Sequence, residues 1–438
     1  MDNAKPTRPG TIMGNKSRRR FGDRQPKLAF LITATFALGL VAGQLFGGGP
    51  ARSDASSSLA DHPAFESFQD AWNLVHDNYV LPGELDDAEL LYGAASGMME
   101  AVGDTGHSSF LDPANATAFK ASLQGELIGI GVRLDFDDEF PVIVAPIKGS
   151  PAEAAGIERG DTIMEVDGVS TDRMTIAQIT SSLRGDEGDE VILKIGRPID
   201  GSTFTVNLAR ARIRIEPVEW AFLPDGLFLI RLNEFSAGAG EHLRQALQVA
   251  RNDGATGVVL DMRGNPGGLV AEALRVAGEF LPEGDVLYQH QDRAEEPLPV
   301  FIEDTGGLAL DIPLVVLIDR GSASAAEIVA ASLRDNGRAE LVGEQTFGTG
   351  TVVSSYTLDD GSIAAIGTAL WRTPEGELVR NVGVSPTIPV VLDPGVDPIE
   401  FESESVLSME AIQATGDDQL TRAMGELSLV ESPVVGVS

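Results

Sequence analysis

Two serines lie in a short turn between a predicted strand and a predicted helix, a place where a nucleophile can be exposed. The stretch DRGSASAAEIVAASLRDNG runs from Asp319 to Gly337, and the apolar run PLVVLI precedes it. Exposed N–H groups and the positive end of a helix dipole favour a negative charge that develops at the helix start. Helix-capping serines occupy the same position, so the residues alone leave nucleophile and cap open for Ser322 and Ser324.

A nucleophilic serine needs a proton acceptor, and few residues could provide one. The last of the six lysines is Lys194, so the segment around the serines contains none. Imidazole is the natural substitute because its reference pKa is about 6.5. The sequence has five histidines, which are His62, His76, His107, His242 and His290.

His107 differs from the other histidines because it lies in GDTGHSSF, a tight glycine-containing loop that can present a side chain. We therefore predict that His107 is the base for Ser324, with a loop histidine of no catalytic role as the alternative. Asp104 could orient the imidazole or simply form a turn. Glu327 could act as a carboxylate base if desolvated, or satisfy N–H groups of the first helical turn.

Composition excludes several classes of function. The formal net charge is −34, and because residues 1–27 carry +6, the rest carries −40. A surface this acidic disfavours binding of nucleic acid. There is no cysteine, so disulfides and thiol nucleophiles are excluded. No H-E-x-x-H pair is present and GNPGG lacks the Walker lysine, so we expect no metal and no cofactor.

One apolar run indicates a membrane location. Leu28–Phe46 contains 19 residues without a charge, and five basic residues between Arg18 and Lys27 precede it. A bilayer span needs about 20 such residues, and a positive flank stays in the cytoplasm. The run predicts a single-pass cell-membrane protein whose bulk is extracytoplasmic, with a cleaved signal peptide as the alternative.

Patterning divides the chain into seven parts. The fold class that it predicts is α/β, in the wider sense of an α+β multidomain chain, because strands and helices alternate in the largest part. The parts are a basic tail (1–27), an anchor (28–46), a linker (47–62), a helical segment (63–120), a β-rich domain (121–212), an α/β core (213–396) and an acidic tail (397–438) that we expect to contribute little core.

The β-rich part resembles a PDZ domain of the protease-associated type. The resemblance rests on GIGV, GSPAEAAGIERGDTIMEVDG and the strands that follow. In PDZ domains a C-terminal peptide adds as a strand, and backbone N–H groups of the loop hold its carboxylate. The resemblance therefore implies a peptide groove formed by Ile128, Gly129, Ile130, Gly131 and Val132. The alternative for these glycines is an ordinary turn.

The core resembles the carboxyl-terminal processing peptidases, the serine peptidase family S41. The resemblance rests on LDMRGNPGGLV, on the serine stretch through GEQTFGTG, and on DDGSIAAIGTALWRTPEG. It implies a layered peptidase core of the crotonase-like type and makes Ser324 the nucleophile. The implied oxyanion donors are the backbone N–H of Ala325 and one from the NPGG turn, at Gly267 or Gly268.

The sequence departs from the family at the base. The family activates its serine with a lysine 25 residues downstream, where this chain has Thr349, and a glutamine four residues later is replaced by Val353. Neither replacement accepts a proton near neutral pH. The tricorn-like peptidases of the same superfamily use Ser–His catalysis, with a histidine from the corresponding N-terminal region, and this supports His107.

These features together predict a membrane-anchored, extracytoplasmic serine endopeptidase that binds protein C-termini and cleaves them with Ser324. Its expected partners are polypeptides with free C-termini and the membrane through one helix; whether a second copy of the chain also binds is left open by the sequence. The alternative is an inactive relative that serves as a peptide-binding or adaptor module. The missing lysine and glutamine favour that alternative, whereas the retained GSASAAE and NPGG argue against it.

Overall fold

The first part of the chain that the structure describes is mainly helical. The computed structural model describes residues 59–104, 108–137, 140–172, 174, 176–293, 295–303, 306–393 and 395–429. The first elements are α1 (Pro63–Asn78), α2 (Asp87–Ala101), β1 (Ser109–Leu111) and α3 (Pro113–Leu123). Helices α1 and α3 start with proline, whose missing N–H would have no partner in the first turn.

The predicted membrane location is contradicted. None of the helices in the described ranges has the length and apolar character needed to cross a membrane. The longest of them, α1, has 16 residues, whereas a span needs about 20. The prediction of a single-pass membrane protein is therefore wrong by this finding. The run Leu28–Phe46, from which it came, lies outside the described residues.

A β-rich domain follows, as the sequence predicts. Its strands are β2 (Glu126–Gly129), β3 (Val132–Asp137), β4 (Phe140–Pro146), β5 (Thr162–Val166), β6 (Val169–Ser170), β7 (Glu190–Arg197), β8 (Ser202–Ala209) and β9 (Ala211–Arg214), with helices α4 (Pro151–Ala154) and α5 (Ile176–Leu183). The main sheet has the order β3-β4-β5-β7-β8, so β3 lies at its edge. Buried and exposed residues alternate along β7, because successive strand side chains point to opposite faces.

The largest part of the protein contains two sheets, and the larger of them is covered by helices on both faces. Its elements are β10 (Val218–Phe222), β11 (Leu227–Leu232), α6 (Ala239–Asn252), β12 (Gly257–Asp261), α7 (Val270–Gly278), β13 (Val286–Gln291), β14 (Leu298–Phe301), β15 (Leu314–Ile318), α8 (Ala325–Asp335), β16 (Glu340–Gly343), β17 (Thr351–Thr357), β18 (Ile363–Arg372), β19 (Ile388–Pro389), β20 (Ser405–Val406), α9 (Met409–Thr415) and α10 (Asp418–Leu429). The larger sheet has seven strands in the order β19-β16-β15-β12-β11-β10-β20.

The central strands of this sheet are parallel and buried throughout. Strands β11, β12, β15 and β16 pair in parallel, and every residue of β11, β12 and β15 is buried. Helices α6, α7 and α8 cover one face, and α9 and α10 cover the other. Runs of apolar residues are typical of strands that are buried on both faces. The predicted combination of a β-rich domain with an α/β layered core is confirmed, whereas the crotonase-like type stays a prediction.

The C-terminal segment contributes more to the core than the sequence predicts. Leu420, Met424 and Leu427 of α10 pack against the central sheet, in a cluster with Val259 and Leu317. The expectation that residues after Asp397 contribute little core is therefore wrong. The reason is that one face of the sheet would be exposed without α10, and burial of that apolar surface stabilises the fold.

A second sheet brings the N-terminal segment onto the core. Strand β18 pairs with β17 along one edge, and with β1 and β13 along the other. Ser109 pairs with Ala365 at the start of β1. Ser108, the described residue just before β1, also bonds to β18, through the N–H of Gly367.

Candidate active site

Ser324 lies at the end of a buried parallel strand and at the start of a buried helix. It occupies the N-cap position of α8 with φ 53° and ψ −116°, and only 6% of the residue is exposed. A positive φ is uncommon for a residue with a side chain and costs about 1–3 kcal/mol. Such strain is typical of turns that present a nucleophile, and it is not needed for a helix cap.

The neighbouring serine has a structural role. The Ser322 hydroxyl donates to the carbonyl of Met262 at 2.8 Å and accepts from the N–H of Asp319 at 3.1 Å. The Asp319 carboxylate accepts three backbone N–H groups, from Gly264, Gly321 and Ser322. Burial raises the pKa of Asp319, and these donors offset part of the rise. Together these bonds tie the serine turn to the end of β12.

Glu327 is buried and already fully hydrogen-bonded. Its Oε2 accepts the N–H of Ser324 and the N–H of Thr349, both at 2.9 Å. Its Oε1 accepts the Thr346 hydroxyl at 2.6 Å and the N–H of Gly348 at 2.7 Å. Burial raises the pKa of Glu327, and its four donors act against the rise. With both oxygens occupied, this carboxylate organises the serine turn and is a poor base for Ser324.

The NPGG turn lies directly against the serine. A methyl group at Gly267, where φ is 98°, would lie 2.6 Å from Ser324 Cβ, so only glycine fits. The N–H of Gly267 donates to Asn265 Oδ1 at 2.9 Å. Within the described residues no acceptor is present for the N–H of Gly268, and the N–H of Ala325 is a first-turn group with no intrahelical acceptor. Of the predicted oxyanion donors, Gly268 and Ala325 are therefore free to act, and Gly267 is engaged.

The family's lysine and glutamine are replaced by residues that fill their positions. Thr349 is buried, and its hydroxyl accepts the N–H of Ser324 at 3.0 Å. Val353 is also buried, in an apolar cluster with Leu111, Phe119 and Ile363. The lysine's place is thus taken by a hydroxyl that holds the serine backbone, and the glutamine's place by a packed core residue.

Four of the five histidines are engaged away from the serine. His62 Nδ1 accepts a backbone N–H at the start of α1. The imidazole of His76 bonds to Asp87, and hydrogen bonding to that carboxylate raises the pKa of His76. His242 faces Glu216 at 3.6 Å, and His290 faces Asp292 at 3.1 Å. The fifth, His107, lies outside the described residues.

The residues on both sides of His107 are anchored beside the serine site. The Ser108 hydroxyl accepts the N–H of Gly367 in β18 and donates to Asp104 Oδ2, both at 2.9 Å. The Asp104 carboxylate is also paired with Arg380 at 3.2 Å. A methyl group at Gly367 would lie 3.5 Å from Thr351 Cβ, only two residues after Thr349.

Arg380 is a residue of this site that the sequence analysis missed. Its backbone packs so closely on Gly350 that a methyl group there would lie 2.2 Å from the N of Arg380. Arg380 thus joins the Thr349 segment to the Asp104–Ser108 segment through one residue. No sequence motif marks Arg380, and its contacts with Asp104 and Gly350 are seen only in the folded structure.

The predicted peptide groove lies at the edge strand of the β-rich domain. Gly129 ends β2 and Val132 begins β3, with Ile130 and Gly131 between them. Ile130 and Val132 are buried, so these positions offer only backbone to a ligand. A methyl group at Gly131 would lie 2.3 Å from Ser150 Cβ, which requires glycine there.

The C-terminal end of α5 faces this loop. A methyl group at Gly129 would lie 3.5 Å from the carbonyl oxygen of Leu183. Arg184 follows directly, and its Nε is buried without a hydrogen-bond partner in the described ranges. Burial lowers the pKa of Arg184. No group of three or more His, Asp or Glu side chains in the described part of the chain is arranged to hold a metal.

Comparison with known proteins agrees with this architecture. A match to peptidase family S41 covers residues 227–390, and a match to the PDZ domain covers residues 142–197. The carboxy-terminal processing protease CtpA of Bacillus subtilis is 31% identical over 83% of this chain and 77% of its own length. The carboxyl-terminal-processing protease of Picosynechococcus is 36% identical over 68% of this chain and 73% of its own length.

A solved structure shows the same arrangement. The photosystem II D1 C-terminal processing protease matches with a TM-score of 0.52 and 28% identity, over 83% of this chain and all of its own. Fold and site thus define a serine peptidase with a PDZ domain. The chain belongs to peptidase family S41, among the carboxy-terminal processing proteases.

Proposed function

We propose that this peptidase cleaves polypeptides with Ser324 as nucleophile and His107 as general base. The Ser324 hydroxyl attacks the scissile carbonyl while the imidazole takes its proton. The imidazole then gives that proton to the leaving amine, and water hydrolyses the acyl-enzyme by the same route in reverse. The N–H groups of Gly268 and Ala325 stabilise the oxyanion.

The observation that carries this proposal is that the other candidate bases among the described residues are already hydrogen-bonded or lack a basic atom. Glu327 accepts four hydrogen bonds, and Thr349 has no basic atom. The other histidines face Asp87, Glu216 and Asp292 or cap α1. A strained serine turn with free N–H donors therefore lacks only a base.

The position of Ser108 supports His107 in this role. Consecutive Cα atoms are about 3.8 Å apart, so His107 is bonded to a residue that is itself held on β18. Ser108 contacts Gly367, which lies beside Thr351. The Thr351 hydroxyl is buried and has no partner within the described residues. Ser108, the residue next to His107 in the sequence, is thus held close to the Thr349 segment.

The substrate would be recognised by its C-terminal end. An extended peptide would add as a strand to the free edge of β3, opposite α5. Its carboxylate would bind the backbone N–H groups of the Ile128–Val132 loop, with Arg184 as the charged partner. The substitution Arg184→Gln should weaken binding of a peptide with a free C-terminal carboxylate. The affinity for the same peptide with an amidated C-terminus should not change. Fluorescence anisotropy would measure both affinities.

Peptide hydrolysis tests the catalytic pair. We expect Ser324→Ala to abolish cleavage of an internally quenched peptide, and His107→Ala to lower kcat by about 10²–10⁴-fold with little change in KM. His76→Ala is the matched control, since His76 bonds to Asp87 and not to the serine turn. A bell-shaped or sigmoidal pH profile that is lost in His107→Ala would assign the base.

Labelling with a fluorophosphonate separates this proposal from an inactive, peptide-binding protein. We expect an adduct on Ser324 when a substrate peptide is present during labelling. Unchanged cleavage in His107→Ala would contradict the histidine's role. Absence of both cleavage and adduct, in protein that still binds peptide, would contradict the catalytic proposal and favour the adaptor.

A further inference from the structure

Strand β17 has a free edge that starts close to Ser324. Among the described residues β17 pairs with β18 alone, along one of its two edges. It begins at Thr351, two residues after Thr349, whose hydroxyl accepts the N–H of Ser324 at 3.0 Å. The second edge of β17 therefore leads away from the serine with no strand beside it in the described part of the chain.

The hairpin register shows which backbone groups point to this free edge. Leu358 donates its N–H to the carbonyl of Ser362 at 2.8 Å, so this pair is hydrogen-bonded across the hairpin. Hydrogen-bonded and non-hydrogen-bonded pairs alternate along an antiparallel ladder. Every second residue of β17, counted back from the neighbour of Leu358, therefore points its N–H and C=O groups away from β18. These residues are Thr357, Ser355 and Val353.

A hydrogen bond on the other side of β18 agrees with this alternation. Gly367, which pairs with Val353, donates its N–H to Ser108 Oγ at 2.9 Å, on the edge of β18 that faces β1. Its N–H thus points away from β17, as a non-hydrogen-bonded pair requires. The outward N–H and C=O groups of Val353, Ser355 and Thr357 make no hydrogen bond to any other segment that the structure describes.

The outer half of this edge is open to solvent. Ser355 is half-buried, and Tyr356 and Thr357 are exposed, whereas Thr351 and Val353 are buried. The outer half is therefore accessible to a polypeptide in this structure. The exposed ring of Tyr356 adds apolar surface next to the free backbone groups.

The edge also lacks the features that keep other sheet edges of the core unpaired. Edge strands are commonly protected by short length, charged side chains or proline. The end strands of the larger core sheet, β19 and β20, have two residues each, and β14 contains Pro299. Strand β17 has seven residues, TVVSSYT, with neither proline nor charge, and its register shift lies between Val352 and Val353, before the outer half. Such an edge pairs readily with an extended chain.

We propose that the free edge of β17 binds the main chain of an extended polypeptide substrate as an added strand. The outward groups of Ser355 and Thr357 provide the hydrogen bonds, and Tyr356 contacts a substrate side chain. Each strand residue advances about 3.4 Å, so these positions match substrate residues about six to eight places from the cleaved bond. The inference rests on the proposed role of Ser324. It adds a main-chain contact that is separate from the groove of the PDZ domain.

A backbone scan of the substrate tests this site. In a long quenched peptide, each N–H group is replaced in turn by an ester oxygen, and all versions share one C-terminal sequence beyond the scanned positions, so binding at the PDZ domain is constant. We expect kcat/KM to fall about 2- to 10-fold at every second position on one side of the cleaved bond, the effect of one hydrogen bond, and to stay constant between them. No loss at any position, or an equal loss at every position, would overturn the site.

The variant Ser355→Pro tests the same edge from the protein. Proline removes the outward N–H and its ring blocks an added strand, while the bonds from β17 to β18 remain. The Ser355 hydroxyl has no partner in the described ranges, so its loss breaks no hydrogen bond. We expect kcat/KM for the long peptide to fall about 10-fold or more, with labelling of Ser324 by fluorophosphonate unchanged. Thr357→Pro, at an exposed position, is a second variant with the same expectation.

Thr205→Pro is the matched control, because it makes the same change at the edge strand β8 of the PDZ domain. Ile192 donates its N–H to Asp167 and pairs with Asn207, so Asn207 and Thr205 point their N–H groups to the free edge of β8. We expect wild-type cleavage of the long peptide in Thr205→Pro. A loss equal to that of Ser355→Pro would contradict a site at β17.

Labelling and binding separate failure of this site from failure of the catalytic proposal. Unchanged cleavage of the long peptide in Ser355→Pro and Thr357→Pro, with Ser324 still labelled, would reject the edge alone. If wild type neither cleaves nor becomes labelled, the role of Ser324 is contradicted. Anisotropy of the ester series with Ser324→Ala then decides on the edge: weaker binding at alternate positions supports it, and uniform binding rejects it.

Discussion

At the scale of single residues, the site is held together by groups that cannot themselves take a proton from serine. Glu327 gathers the N–H groups of Ser324, Gly348 and Thr349 at one buried carboxylate. Thr349 adds a second acceptor for the same N–H of Ser324. The strained backbone of Ser324 is thus fixed by hydrogen bonds and does not depend on a lysine.

Removal of one acceptor oxygen from Glu327 should damage this arrangement. In Glu327→Gln the amide NH₂ must face two donors in either orientation, so two buried donors lose their acceptor. We expect a loss of about 1–3 kcal/mol in the free energy of unfolding, measured by urea denaturation, together with reduced activity. Glu241→Gln should change neither property. Wild-type stability in Glu327→Gln would show that these bonds do not hold the turn.

Glu234 should make stability depend on pH in a defined direction. Its pKa rises from 4.5 in the reference state to about 7 in the folded protein, so the folded state binds more protons between those values. Wild-type stability therefore falls as pH rises through that window. Glu234→Gln lacks this penalty, so its stability relative to wild type should increase by about 2 kcal/mol from pH 5 to pH 8. A difference independent of pH, in urea unfolding at both values, would contradict the shift.

At the scale of elements, β18 is the strand that brings the N-terminal segment to the serine. It binds β17 on one edge and both β1 and the Ser108 hydroxyl on the other. Arg380 closes the connection through Asp104. The geometry of the proposed catalytic pair should therefore depend on how Asp104 and Ser108 are held against β18.

Gly367→Ala should disturb that approach without unfolding the protein. A methyl group there would lie 2.5 Å from Asp104 Oδ2, which Ser108 and Arg380 hold in place. We expect kcat to fall at least about 10-fold, while a strand Gly→Ala change itself gains about 0.5–1 kcal/mol. Gly97→Ala, in α2 with open space around it, is the matched control. Unchanged kcat in Gly367→Ala would argue against a catalytic group from this segment.

At the scale of the whole molecule, the C-terminal segment supports the active site from the opposite face of the sheet. Arg263, just before the NPGG turn, bonds to both carboxylate oxygens of Asp417 and to Asp261. Although burial acts to raise the pKa of Asp261, the arginines Arg263 and Arg231 lower it to about 2. This buried network links the start of α10 to the end of β12, just before the NPGG turn.

Asp417→Asn should therefore destabilise the protein and reduce its activity. Breaking a buried ion pair leaves an uncompensated charge and costs about 3–5 kcal/mol. The melting temperature and kcat should both fall. Glu426→Gln breaks only the pair with Arg422 on the partly exposed surface of α10, which is worth about 0.3–0.5 kcal/mol. Equal effects of the two substitutions would contradict a structural role for the network.

The amino-acid sequence by itself determined most of the elements and the serine turn. Apolar runs and glycine and proline positions are local features that predict strands and helices, whereas the PDZ domain, the peptidase core and Ser324 as nucleophile were implied by resemblance of the motifs to known families. Because no lysine follows Lys194, the sequence alone excludes a lysine base from the core. The membrane location and the small contribution of the C-terminal segment were predicted on equally local grounds, and both predictions are wrong.

Only the tertiary structure decided which distant groups meet. It places Val353 in a core cluster, commits the Gly267 N–H to Asn265, and joins Arg380 to Asp104. It also buries Glu234 Oε1 beside the NPGG turn, with no hydrogen-bond partner in the described part of the chain. Such contacts join segments far apart in the chain, and their energies depend on burial and partners that composition does not contain. Periodicity predicts which face of an element is buried, whereas a hydrogen-bond network is defined only when the elements are packed.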